Sequence, residues 1–353
     1  MEPRKSRKKT KSKLIIRISL LITAVIFILS ISIGGFFLYK AKETWNEVYE
    51  ERISKEDPIA QLRKEKNGKK EAAKEKQREK QQETEDGEGS SSGETGEDAV
   101  PASTEVLERQ AFTIALLGVD TRDNNSFKGR SDTIIVAVLN PSTKKVTLLS
   151  IPRDSYVYIP QVDKYDKIAH AHAYGRAPGA VETLERFLDI PIDYYISINF
   201  HAFRSIVDEL GGITIDVEKD MIGLKKGTQK LSADQALNYV RFRYDSEGDF
   251  GRNRRQQQMV KAIIDQTIEV RNPMKISSML NILGKNIRTD INLDNLLYLA
   301  SEFNSVQGQN IDSILLTGKS FYYNNRSYVG IANEDLVRVR NKLKELLYVK
   351  TAN

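Results

Sequence analysis

Four clusters in the sequence set arginine and aspartate beside glycine or proline at the edges of apolar runs. They are Gly118-Val119-Asp120-Thr121-Arg122, Gly129-Arg130-Ser131-Asp132-Thr133 and Ser150-Ile151-Pro152-Arg153-Asp154, and then Tyr239-Val240-Arg241-Phe242-Arg243 with Gly248-Asp249-Phe250-Gly251-Arg252 and Arg254-Arg255-Gln256 behind it. In an extended segment Arg241 and Arg243 project to one face while Phe242 turns into a core. Arg252 and Gln256, four apart at a helix start, share a helix face. Guanidiniums that converge on one spot repel unless an anion with several oxygens sits among them, and planar bidentate donors suit phosphate. A helix N-terminus near Gly251 adds partial positive charge. Asp120 and Asp132, at strand ends, offer the oxygens that a hard divalent cation such as Mg²⁺ prefers, and such an ion usually bridges to a substrate phosphate. Basic groups plus a metal around a diphosphate are a common way to stabilise phosphoryl transfer.

Each cluster alone also reads as plain surface ion pairs at strand ends. Their recurrence within one domain is what sets a phosphate site beside that reading. His170-Ala171-His172 has metal-like spacing, but no third ligand accompanies it, which favours packing or a hydrogen bond. Neither a Gly-x-Ser-x-Gly elbow nor a Walker loop occurs. There is no cysteine, which excludes thiolate catalysis, cysteine metal sites and a disulfide-built scaffold. Tyr156–Tyr158 and Tyr322–Tyr323 read as structural or groove-lining, and Tyr194-Tyr195 as strand core.

These clusters need elements to hold them. Strands are expected at Phe112–Val119, Thr133–Leu139, Lys145–Ile151, Tyr194–Phe200, Ile213–Val217 and Ser313–Thr317, several of them continuous apolar runs of the kind buried on both faces. Helices are expected at Ala180–Leu188, Ala202–Leu210, from Ala233, and at Asn253–Val270, Met274–Leu283, Leu293–Phe303 and Glu334–Leu347. Ser232 and Gln235 form a capping box, Gly211-Gly212 closes one helix and Asn272-Pro273 stops another. The expected fold is α/β, a single three-layer domain over residues 111–353 with a central mixed sheet flanked by helices.

Ahead of that domain, residues 18–39 carry no charge and are mostly Ile, Leu, Val and Phe, long enough for a membrane-spanning helix. A cleaved signal peptide has a shorter apolar core and a small-residue cleavage site, whereas this run leads into Gly34-Gly35-Phe36-Phe37-Leu38-Tyr39. Residues 1–17 hold eight basic residues and one acid, a cytoplasmic tail by the positive-inside rule, which puts the remainder outside the cell. Residues 40–110 form a charged stalk, a solvated helix or a disordered segment over 40–80 followed by an acidic Gly/Ser linker. Residues 111–353 carry 32 basic and 28 acidic residues, so the sequence pI of about 9.1 is partly an effect of the tail. The expected surroundings are the lipid bilayer and not nucleic acid.

At the four clusters the sequence resembles the LytR–CpsA–Psr family of Gram-positive surface enzymes. The matching stretches are Leu-Leu-Gly-Val-Asp-Thr-Arg (116–122), Gly-Arg-Ser-Asp-Thr (129–133), Leu-Leu-Ser-Ile-Pro-Arg-Asp-Ser (148–155), Lys-Ile-Ala-His-Ala-His-Ala-Tyr-Gly (167–175), Val-Asp-Glu-Leu-Gly-Gly-Ile (207–213), Leu-Ser-Ala-Asp-Gln-Ala-Leu (231–237) and the arginine-rich run 241–257. They occur in the family's order over about residues 111–260. The resemblance implies a phosphotransferase that moves a glycopolymer (wall teichoic acid, capsule or similar) from undecaprenyl diphosphate to a peptidoglycan sugar hydroxyl, leaving a phosphodiester. It implies Asp120 and Asp132 as Mg²⁺ ligands, and Arg130, Arg153, Arg241, Arg243, Arg252 and Gln256 as diphosphate contacts. Asp132, Arg153 and Asp154 become the catalytic candidates, with Asp132 or Asp154 taking the acceptor's proton. It also implies an apolar channel for the polyprenyl tail. The family often has Asn-His-Ala-Tyr where this chain has Ala169-His170-Ala171-His172, so no role carries over to those histidines. A non-catalytic surface regulator that binds polyprenyl phosphate, and a diphosphate hydrolase, are the alternatives.

Overall fold

The computed structural model describes residues 106–121, 127–269 and 287–351, with a few positions between 42 and 58. The expected anchor at 18–39 and the expected helix Met274–Leu283 lie outside the described residues, and among the described residues no helix is long and apolar enough to cross a membrane.

The chain runs through β1 (Val106–Arg109), β2 (Phe112–Asp120), β3 (Arg130–Asn140), β4 (Lys145–Ser150) and the hairpin β5 (Tyr156–Ile159) and β6 (Lys164–Lys167). Helix α1 (Ile168–Leu188) leads to β7 (Tyr194–Asn199), α2 (Phe200–Glu209), the hairpin β8 (Ile213–Val217) and β9 (Gly227–Leu231), and α3 (Ala233–Arg241). Then come α4 (Gly248–Glu269), β10 (Ile287–Thr289), α5 (Leu293–Glu302), β11 (Ile311–Leu315), the hairpin β12 (Lys319–Tyr323) and β13 (Arg326–Gly330), α6 (Asn333–Leu347) and β14 (Tyr348–Thr351). The central sheet has the order β10-β7-β2-β3-β4-β11. It is mixed: β7 on β2 and β11 on β4 are parallel, the other pairs antiparallel.

Alternation along the strands sends apolar side chains to both faces. Ala115, Leu117, Ile134, Val136 and Leu149 bury one face against α1 and α6. The α6 contribution is Val339, Leu343 and Leu347, four residues apart and fully buried, each stabilising by about 1.5–3 kcal/mol relative to exposure. Ile135, Ala137 and Leu148 on the other face meet Val260 and Ile264 of α4, and Phe112 and Ile114 meet Leu299 of α5. The three-layer arrangement with a central mixed sheet is therefore as expected.

Several boundaries differ from expectation. Helix α1 begins twelve residues before Ala180, but its backbone leaves helical geometry at Arg176 (φ 53°, ψ −154°), just ahead of Pro178, so the predicted piece is its second half. Helix α4 starts at Gly248 rather than near Asn253. Arg241 is the last residue of α3 and not part of a strand, because the capping box at Ser232 and Gln235 starts a helix whose apolar face carries through Val240. The C-terminal sheet strand is Ile311–Leu315, and a short strand ahead of residue 111, β1, pairs with β14. Ahead of the domain, Tyr49 bridges Thr289 of β10 and Glu50 N–H donates to Thr289 O at 2.8 Å. The Asp57 carboxylate accepts from Asn295 Nδ2 at 2.7 and 2.8 Å and from the Tyr194 hydroxyl.

Candidate functional site

The end of the β2–β3 ladder is where the first two clusters meet. Pairing is regular up to Gly118 opposite Thr133, then resumes with Val119 opposite Ser131 and Asp120 opposite Arg130. Asp132 is the extra residue of this bulge, the device by which a strand re-aims one side chain. The glycines of both motifs permit the close approach. A Cβ on Gly118 would lie 2.8 Å from Thr133 Cβ, and one on Gly129 would lie 2.4 Å from the Asp120 carbonyl oxygen. Asp120 pairs loosely with Arg130 at 3.9 Å, both partly in solvent.

The turn after β4 supplies the third cluster. Ser155 closes it by donating through N–H and Oγ to Pro152 O, at 3.0 and 2.7 Å, and Ala169 N–H holds Arg153 O at 3.0 Å. Arg153 Nη1 donates to Asp132 Oδ2 at 2.7 Å, and its Nε lies 3.8 Å from Asp154 Oδ2. Burial works against the Arg153 cation, but Asp132 and Asp154 outweigh it and raise its pKa. Asp154 stands behind Arg153, its Oδ1 2.9 Å from Lys167 Nζ. Burial favours the neutral acid there, yet the Lys167 hydrogen bond and the Arg153 charge hold Asp154 below the ordinary carboxylate value. Asp249, in the first turn of α4, bonds to Asp154 and goes the other way: burial raises its pKa, Arg252 opposes and the Asp154 charge adds to the rise. Of the two carboxyls, Asp249 is therefore the one that takes up a proton more readily.

Arg252 comes from the same turn of α4. Its side chain is 4% exposed and pairs through Nη1 with Asp249 at 3.1 Å. Its Nε and Nη2 are buried with no partner among the described residues, and burial lowers its pKa. Arg241, at the C-terminus of α3, lies over the Phe200 ring at 4.8 Å, and Arg243 over Tyr244 at 5.8 Å. Gln256, one turn after Arg252, is buried and donates weakly to Val240 O at 3.4 Å.

Asp120, Arg130, Asp132 and Arg153 line one cavity of about 470 Å³, and Arg241, Arg243, Arg252 and Gln256 line it from the other side. Of the metal, diphosphate and catalytic candidates, all therefore line this cavity except Asp154. A second cavity of about 160 Å³ lies between the sheet and helices α2, α3 and α4, walled by apolar side chains such as Leu116, Ile196, Ile198, Phe203, Leu237 and Met259. Thr133, Phe200, Val240 and Gln256 belong to both, so a charged chamber and an apolar one share a wall.

The histidines take structural parts. His172 is buried and hydrogen-bonds Gly129 O through Nδ1 at 2.9 Å, which positions the residue before Arg130. Burial lowers its pKa, so it is neutral. His170 Nδ1 lies 3.0 Å from Asp166. Among the described residues no three His, Cys, Asp or Glu gather as a metal cage. Sequence reasoning missed Asp249 and Lys167 as partners of Asp154. Asp249 lies in a quoted motif, but only contact across the fold gives it a role.

A sequence model of the LytR_cpsA_psr family matches residues 62–345. The polyisoprenyl-teichoic acid–peptidoglycan teichoic acid transferase TagU of Halalkalibacterium halodurans is 39% identical over 249 residues, 69% of this chain and 81% of that protein. The crystal structure of Bacillus subtilis TagV superposes with a TM-score of 0.60 at 35% identity, covering 68% of this chain and 98% of that one. A structure of the family protein YwtF (TagT), from the same organism, with bound octaprenyl pyrophosphate lipid gives a TM-score of 0.55 at 31% identity, covering 67% and 90%.

Proposed function

The chain belongs to the LytR_cpsA_psr family, and from that premise we propose that it is a membrane-anchored, Mg²⁺-dependent phosphotransferase that moves a glycopolymer from undecaprenyl diphosphate to a sugar hydroxyl of peptidoglycan. One observation carries the reading: the arginine-lined cavity and the apolar cavity share a wall. A ligand with an anionic head and a hydrocarbon tail fits both at once, and a relative with this fold binds octaprenyl pyrophosphate. TagU, a relative named as a teichoic acid transferase to peptidoglycan, supports the polymer and acceptor classes.

Arg130, Arg153, Arg241, Arg243 and Arg252 bind the diphosphate oxygens, with the Gln256 amide beside them. The unpaired Nε and Nη2 of Arg252 are held ready for those oxygens, at no reorganisation cost when charge develops. The acceptor hydroxyl attacks the glycan-side phosphorus. The bond from that phosphorus to the bridging oxygen breaks, and undecaprenyl phosphate departs with the electron pair. Of the two carboxylates considered for the hydroxyl proton, Asp154 stands behind Arg153 and outside the cavity lining, which leaves Asp132 as the one facing the cavity. Asp154 instead positions Arg153. Asp120 and Asp132 suit Mg²⁺, because both line the cavity and Asp132 Oδ1 is buried without a partner among the described residues. When bound there the ion would supply charge neutralisation on the diphosphate. The apolar run 18–39 is the proposed anchor, with the folded domain on the outer face.

The test is the full chain in detergent with a lipid-diphosphate glycan, peptidoglycan oligomers and Mg²⁺. Wild type should form a glycan–peptidoglycan adduct, and Arg153→Ala and Asp132→Ala should lose it. Tight lipid binding with no transfer to any acceptor, or full activity in both variants, sinks the proposal.

A further inference from the structure

The two tyrosine-rich stretches of the sequence form one surface. Hairpins β5–β6 and β12–β13 meet at a bridge between Ser155 and Val329, and Val329 N–H donates to Asp154 O at 2.8 Å. Tyr156 is the hub of the joint. Its ring stacks on Tyr165 at 5.3 Å between centroids and meets Phe321 at 5.6 Å, Tyr328 at 5.0 Å and Tyr323 at 6.1 Å. Tyr158 extends the row, 5.6 Å from Tyr165. Tyr328 is a buried floor, whereas Tyr165 and Tyr323 are 58% and 53% exposed.

A surface seldom leaves so many aromatic faces in water unless a partner covers them. Tyrosine rings with hydroxyl tips suit a partner that is apolar on its faces and polar at its edges. A pyranose ring has that character: its C–H face packs on an aromatic ring while its hydroxyls reach neighbouring polar groups. The remainder of the surface agrees with a sugar and disfavours a lipid or a protein core. The exposed side chains of these hairpins are tyrosine, lysine, arginine, serine, asparagine and aspartate, with no exposed aliphatic. Cations border the rings, Arg186 over Tyr158 at 4.5 Å and Lys167 over Tyr328 at 5.6 Å. Lys167 also makes the surface continuous with the candidate site, because its Nζ holds Asp154, which in turn flanks Arg153.

We propose that this tyrosine platform binds the glycan of the peptidoglycan acceptor and leads it toward the arginine-lined cavity. The inference rests on the transferase reading for its acceptor, but its binding step can be measured separately. Full-length protein in detergent would be titrated with soluble, peptide-free peptidoglycan glycan strands, and acceptor KM and kcat measured in the transfer assay. Losing two exposed stacking rings in Tyr165→Ala/Tyr323→Ala should weaken glycan binding about tenfold or more and raise the acceptor KM alike. Its affinity for a polyprenyl diphosphate should stay unchanged, and Tyr165→Phe/Tyr323→Phe should restore binding. Tyr322→Ala is the control, because Tyr322 is 80% exposed on the opposite face of β12, and it should behave as wild type. The platform is overturned if the double alanine variant, with an unchanged melting temperature, binds glycan as wild type does. It is equally overturned if Tyr322→Ala has the same effect, or if the tyrosine variants alter self-association or vesicle binding instead. Tyrosine-dependent glycan binding without any transfer would leave the platform standing and remove the transferase reading. Transfer with wild-type acceptor KM in the double variant would do the reverse.

Discussion

The side chain of Arg252 is 4% exposed and has one carboxylate partner, Asp249, while two of its nitrogens have none among the described residues. An unpaired buried donor costs about 1–3 kcal/mol, so the fold carries this side chain at a loss. Arg252→Met removes the stranded donors, fills a similar slot with a flexible apolar chain, and gives up the Asp249 pair. That pair is worth little, since burial already favours the neutral form of Asp249. The net gain is about 1–2 kcal/mol, or a rise in Tm of about 2–8 °C for a domain of this size. Binding should move the other way. Two charge-assisted hydrogen bonds to a diphosphate are worth about 3 kcal/mol or more together, so affinity should fall about a hundredfold or more. Thermal melts of the full chain in detergent, and calorimetric titration with a short polyprenyl diphosphate, would read both quantities. A lower Tm with unchanged diphosphate affinity would refute the reasoning, because it would mean that those nitrogens are satisfied within the fold and not kept for a ligand.

Two further outcomes follow from the same geometry. Gly129→Ala would drive a Cβ to 2.4 Å from Asp120 O, so the β2–β3 end must shift. Melting should show a loss of about 1–3 kcal/mol, and any Mg²⁺-induced rise in Tm should shrink because Asp120 moves. Asp249 has a folded pKa raised above its ordinary 3.8. Its contribution to stability is full below pH 3.8 and is lost as the pH climbs through the raised value. Asp249→Asn should therefore match wild type in acid and gain on it toward neutral pH, and a Tm difference that is independent of pH would contradict the raised pKa of Asp249.

Much of the scaffold was legible because its signals are local. The apolar runs of β2, β3, β4 and β7 stand out, as do the Ser232–Gln235 box and the double glycine after α2. The site was legible as a set of motifs, since arginine beside aspartate at strand ends is visible without coordinates. Three things were not. The bulge that turns Asp132 inward depends on a register slip across two strands, and no single strand carries that signal. Arg241 and Arg243 read as alternating strand residues because Val240-Arg241-Phe242-Arg243 has the right period, but the helix begun at Ser232 runs through Arg241. The Asp154–Asp249 and Asp154–Lys167 contacts join segments far apart in sequence. The β5–β6 and β12–β13 hairpins were hidden for another reason: their strands are only four or five residues long, so the buried alternation of Val157 and Ile159 is too short to stand out.

The seating of Tyr49, Glu50 and Asp57 on β10 and α5 has a mechanical consequence. Between the apolar run ending at Tyr39 and the first docked residue lie only nine residues, 40–48. Fully extended, that leash measures on the order of 30 Å. With residues 18–39 in the bilayer, as proposed, the domain would roam a shallow layer just above the lipid headgroups, however long the segment between Asp57 and β1. That segment begins and ends on the domain and so adds nothing to its height. On that proposal the domain would be confined close to the bilayer, and a glycan strand would have to come down to the membrane surface to be modified.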